Sequence, residues 1–81
     1  MEIIILGPGC PNCKTLEKNT IVALEELKIT ANVQKEQDIV KIMSYGIMRT
    51  PGIVIDGKLV LSGRLPSMSE LKELLRTHCN S

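Results

Sequence analysis

An unbroken apolar run, Ile3-Ile4-Ile5-Leu6, stopped at once by Gly7-Pro8-Gly9, constrains the fold more than any other segment of this chain. Consecutive β-branched residues without polar alternation read as a strand buried on both faces. The breakers after it form a loop that delivers Cys10 to the start of a helix. From Pro11 to Leu27 the periodicity is helical, with Leu16, Thr20, Ala23, Leu24 and Leu27 on one side and Lys14, Lys18, Glu25 and Lys28 mostly on the other. Pro11 suits the first helical position, where a missing N–H costs nothing.

The remaining elements follow from the same rules. Ile29 to Gln34 reads as a second strand, with Ile29, Ala31 and Val33 on one face. Asp38 is a fair N-cap for a short helix whose apolar side is Ile39, Val40, Met43 and Ile47, ended by Gly46. Arg49-Thr50-Pro51-Gly52 breaks the chain again before Ile53-Val54-Ile55. Asp56-Gly57, between that run and Leu59-Val60-Leu61, is the strongest hairpin signal in the sequence. Ser67-Met68-Ser69-Glu70 has capping-box spacing and opens a last helix with Met68, Leu71, Leu74 and Leu75 as its buried stripe. The order is β-α-β-α-β-β-α. A helix between the first two strands allows a parallel crossover, so the expected class is α/β: a four-stranded mixed sheet flanked by three helices. The chain has 81 residues, enough for one domain over 1–81 and no second core.

Composition narrows the function. The net charge is +1 with the signs interspersed, and Tyr45 is the only aromatic residue. With no basic stripe and no stacking platform, nucleic-acid binding is not expected. The apolar runs are too short for a membrane span or a signal-peptide core, and the first strand starts next to Met1. A cytoplasmic location is therefore expected. There, a cysteine pair is more often catalytic or metal-binding than structural.

Cys10-Pro11-Asn12-Cys13 carries the chemistry. A disulfide across so short a ring contributes only about 2 kcal/mol of loop entropy, against ~3 for fifteen residues, so it would be a poor staple. A helix N-terminus presents free N–H groups and about half a positive charge, which favours thiolate over thiol. An ordinary cysteine with a pKa near 8.5 is only about 3% ionised at neutral pH; lowering it to ~7 makes the group about half ionised. Cys13, one turn on, stands where it can attack a mixed disulfide formed through Cys10. The residues alone leave a second reading open, in which the same cysteines bind zinc or copper. Cys10, Cys13, Cys79 and His78 form a zinc-compatible donor set.

Taken together, Gly9-Cys10-Pro11-Asn12-Cys13 after the first strand, Thr50-Pro51 before the third, Asp56-Gly57 in the hairpin and Ser62-Gly63-Arg64 behind it resemble the thioredoxin superfamily. The resemblance covers about residues 2 to 77 and is greatest to the superfamily's small, glutaredoxin-sized redox-active disulfide proteins. It implies a minimal thioredoxin-like fold and thiol–disulfide oxidoreductase activity. Cys10 would be the exposed nucleophile, Cys13 the partly buried resolving thiol and Pro51 a cis-proline packed on the disulfide. Thr50 and Pro11 would border the bound substrate. It also implies a monomer without a bound cofactor, acting on protein disulfides and recharged by a thioredoxin-reductase-like or other electron donor. The chain departs from the wider pattern in three places. Gly9 stands where thioredoxins carry Trp, no buried acid lies on the strands, and no Asp follows Ser62-Gly63 to hold glutathione.

The other reactive side chains have plainer readings. Cys79 is a thiol near the C-terminus without a catalytic role, and His78 a solvated neighbour. Arg49 and Arg64 flank the expected groove. Met43 and Met48 fill space in a domain without Phe.

Overall fold

A computed structural model describes residues 1–9, 11–47 and 49–79, the last without its side chain. The elements run β1 (Glu2–Leu6), α1 (Pro11–Leu27), β2 (Asn32–Glu36), α2 (Ile39–Ser44), β3 (Gly52–Ile55), β4 (Lys58–Ser62) and α3 (Met68–Cys79). The sheet order is β2-β1-β3-β4, with β1 parallel to β2, antiparallel to β3, and β3 antiparallel to β4. This is the minimal thioredoxin arrangement, and the unbroken apolar run has its explanation in it. β1 is hydrogen-bonded on both edges and covered on both faces.

The pleat divides the core in two. Ile3 and Ile5 of β1, with Ile53 and Ile55 opposite them, pack against Leu16, Ala23 and Leu24 of α1 and Leu71 and Leu75 of α3. Leu6 and Val54 point the other way, onto Ile42 and Ile47. The register of β4 shifts between the Ile53–Leu61 and Val54–Leu59 pairs. That bulge lets Val60 and Leu61 both reach the larger core while Leu59 stays exposed. At the hairpin tip Asp56 and Gly57 both have positive φ, as a two-residue type I′ turn demands. Asp56 also accepts the Glu2 N–H on Oδ1 at 2.8 Å.

Two sequence expectations need correction. The second strand begins at Asn32, not Ile29. Helix α1 leaves through a Schellman-type exit, with Ile29 N–H donating to the Leu24 carbonyl and Lys28 N–H to that of Glu25, while Lys28 adopts φ 57°. Ile29 to Ala31 are used up in reversing direction. The second correction concerns α2. Its six residues bury Ile42, whereas Ile39, Val40 and Met43 are exposed. Asp38 caps it as expected, accepting the Val40 N–H at 3.0 Å. Among the described residues no helix is long and apolar enough to cross a membrane.

Candidate active site

The C-terminal end of β1, the first turn of α1 and the loop before β3 meet at one end of the sheet. Cys13 sits in that first turn, buried, and its sulfur is in a disulfide. Cys10, the residue just before α1, lies outside the described residues, as does Met48. Pro11 opens α1 and is exposed. Its carbonyl accepts the Thr15 hydroxyl at 3.0 Å.

Gly7 makes this packing possible. A Cβ at residue 7 would lie 2.8 Å from the Cys13 Cβ and closer still to its Sγ, with the Thr50 Cβ 4.0 Å away on the same side. The Cys13 sulfur thus rests directly on bare backbone at the end of β1. The Gly7 N–H donates to the Glu36 carbonyl at 2.9 Å, which ties this backbone to β2.

The Thr50–Pro51 peptide bond is cis, and Pro51 is fully buried beneath the half-buried Thr50. Pro51 accepts the Gly63 N–H on its carbonyl at 2.9 Å, so the end of β4 braces the proline loop. Gly63 has φ 82° and leaves Arg49 room to lie beside it. A groove of about 510 Å³ runs past Thr50, lined by Ile39, Ile42, Met43, Ile47, Arg49 and Gly63. Arg64 plays another part. Its guanidinium grips Glu70 through both nitrogens, one at 2.7 Å, and so joins the groove's flank to α3. Those hydrogen bonds hold the Glu70 carboxyl below its ordinary range and raise the Arg64 pKa. The Ser67 hydroxyl caps the Glu70 N–H at 3.2 Å, but the Glu70 carboxylate that a full capping box would use is held by Arg64.

The proposed zinc set does not assemble as a whole. Cys13 lies past the end of β1, whereas His78 lines a cavity with Asp56 and Lys58 at the opposite end of the sheet. The length of β1 separates them, about 16 Å at the usual rise per residue. The Cys79 side chain is outside the described residues. Among the described residues no three His, Cys, Asp or Glu side chains converge as a metal site would require.

Sequence reasoning put Cys13, Thr50 and Pro51 forward, and they meet here. It missed Gly7 as a contact surface, because a breaker in a Gly-Pro-Gly run gives no hint of what will press against it. It also missed Lys35 and Gln37, polar residues at the end of β2 that line a small pocket beside Cys13. The groove contribution of Ile39 and Met43 was masked by their reading as core.

A thioredoxin domain model matches residues 1–76. The chain belongs to the thioredoxin family. A protein named thioredoxin from Methanothermobacter thermautotrophicus is 41% identical over 75 residues, covering 93% of this chain and 97% of that one. Another protein named thioredoxin, from Methanocaldococcus jannaschii, is 38% identical over 76 residues, covering 94% of this chain and 87% of its own length. The family is one of thiol–disulfide oxidoreductases, and each match spans nearly the whole chain.

Proposed function

We propose that this chain is a thiol–disulfide oxidoreductase whose working pair is Cys10 and Cys13. The observation that carries the reading is a buried, disulfide-bonded Cys13 in the first turn of α1, on the same side of Gly7 as the cis Thr50–Pro51 loop. Cys10, three residues earlier at the mouth of that helix, is the partner of Cys13 and the attacking thiolate. The helix terminus favours its ionised form. It attacks a substrate disulfide, one substrate sulfur leaves as a thiolate, and Cys13 displaces the other from the mixed disulfide. An electron donor then returns the pair to the dithiol.

Thr50 offers backbone to an extended substrate, Pro11 borders the bound segment, and Pro51 fixes the floor beneath it. The groove beside Thr50 and its exposed apolar rim suit protein disulfides. The protein works as a monomer in the cytoplasm, needs no bound cofactor, and draws electrons from a thioredoxin-reductase-like or comparable donor.

The test is a trap. Cys13→Ser should accumulate a mixed disulfide with substrate proteins through Cys10, visible as a reductant-sensitive adduct, while Cys10→Ser should form none. Equal reduction of a model protein disulfide by wild type and the double variant would refute the reading.

A further inference from the structure

A pocket of about 30 Å³ opens beside Cys13, lined chiefly by Gly7, Gly9, Cys13, Lys14, Lys35 and Gln37. That holds one or two waters, since a single water needs about 10–15 Å³. One wall is bare backbone. The polar wall comes from the end of β2: Gln37, whose Nε2 lies 3.8 Å from where a Gly9 side chain would begin, and Lys35. No described residue lining this pocket is acidic. Glu17, one turn beyond Cys13 on α1, is not one of the lining residues, and its Oε1 lies 3.8 Å from the Lys35 Nζ. Two lysines, Lys14 and Lys35, and no described carboxylate therefore line the space into which Cys13 must lose its proton.

We infer that Lys35 is a positioning residue for the resolving step, acting across this water-sized pocket to stabilise the Cys13 thiolate. The inference rests on the disulfide-exchange reading above. In the mixed-disulfide state Cys10 is bonded to a substrate sulfur and Cys13 is a thiol. The Cys13 proton passes to water in the pocket and on to solvent. The Cys13 thiolate attacks the Cys10 sulfur, the Cys10–Cys13 bond forms and the Cys10–substrate bond breaks. The substrate leaves as a thiolate and takes a proton from solvent. Over both attacks, two electrons pass from the cysteine pair to the substrate disulfide.

Among the described residues, the charged ones on the segments that meet at Cys13 include Lys14 and Glu17 in the first two turns of α1, Lys35 and Glu36 at the end of β2, and Arg49 in the loop before Pro51. Residues 3 to 9 carry none. Of these side chains, Lys14 and Lys35 line the pocket. Lys14 extends from the same helix turn as the thiol, whereas Lys35 reaches the pocket from the facing strand.

Removing a nearby cation raises a thiol pKa, which has two opposed effects. The thiolate fraction at low pH falls tenfold per unit, while the intrinsic nucleophilicity rises with a Brønsted slope of about 0.4–0.5. The net result per unit is a rate about threefold lower below the pKa and about threefold higher above it. Curves that cross are the signature, and a loosened fold does not produce them.

The experiment uses the reduced full chain in a Cys79→Ser background with one equivalent of dithiobis(nitrobenzoate), followed by stopped flow. The first release of thionitrobenzoate reports attack by Cys10 and the second reports resolution by Cys13. In Lys35→Gln the second phase should slow about threefold at pH 6–7 and overtake the parent near pH 10, with the first phase unchanged. Lys35→Arg should restore the parent profile, and Glu17→Gln should shift it in the opposite direction. A second phase unaltered by Lys35→Gln, one lowered equally at every pH, or one slowed at pH 6–7 by Glu17→Gln would overturn the inference. Absence of any second release in the parent would instead refute the disulfide-exchange reading itself.

Discussion

Gly7→Ala places a methyl group where the Cys13 side chain now lies, 2.8 Å from its Cβ and nearer its sulfur. Carbon atoms in contact sit about 3.5–4.0 Å apart, so Cys13 or the strand end must retreat by roughly 1 Å. Neither can do so freely. The strand end is held by the Gly7–Glu36 hydrogen bond, and a disulfide tolerates only a narrow geometry. Overpacking of this kind costs about 1–3 kcal/mol. In the dithiol form Cys13 can turn its sulfur aside, which relieves the contact at Sγ but not the one at Cβ, so only part of that cost falls on the oxidised protein alone. The difference appears as a higher reduction potential, by at most about 65 mV at 30 mV per 1.4 kcal/mol. Urea titrations of both redox forms, with a dithiothreitol redox titration, measure the two quantities independently. Equal stability of parent and variant in both forms, with an unchanged potential, would show that Gly7 does not shape the seat of Cys13.

Leu71, fully buried on α3 against the β1–β3 face, should cost about 2–5 kcal/mol when changed to Ala, read as a lower urea midpoint. Gly52→Ala should destabilise by about 1–3 kcal/mol, because the new methyl would meet the Ile47 Cδ1 and lie 3.1 Å from the Leu61 carbonyl oxygen. The Arg64–Glu70 pair carries a pH signature. Arg64 lowers the Glu70 carboxyl below its unfolded value near 4.3, so its contribution is present above that pH and is lost as pH falls through the folded value. Thermal melts of Arg64→Gln should therefore lie below the parent at pH 7 and converge with it in acid. The gap should also shrink in molar salt, since both groups are exposed.

Where local rules and tertiary demands agreed, the fold was legible in the sequence. β1 needed only its apolar run, the hairpin only Asp56-Gly57, and α3 only its leucine stripe and Ser67. The second strand was displaced because β2 is an edge strand of mostly polar residues, Asn32-Val33-Gln34-Lys35-Glu36, with little periodicity to detect. The apolar letters before it, Ile29 and Ala31, serve the exit from α1 and pack against the rim of the core. Helix α2 misled for a related reason. Four apolar residues on six positions look like a core face, but so short a helix can press only Ile42 inward. The others are left outside, where Ile39 and Met43 line the groove by Thr50. At the site, Cys13 was put forward by the spacing of the cysteine pair, and Thr50 and Pro51 by the resemblance to the thioredoxin superfamily. Gly7, Lys35 and Gln37 were not, since their relevance comes from β2 folding alongside the end of β1.

Equilibrating the protein with mixtures of oxidised and reduced dithiothreitol, then mapping the disulfide by peptide mass, tests the central claim most directly. A single reversible two-electron transition is expected, tenfold in the oxidised-to-reduced ratio for about 30 mV, with Cys10 joined to Cys13 and no change in Cys79→Ser. A Cys13–Cys79 linkage, or the absence of any reversible transition, would contradict it.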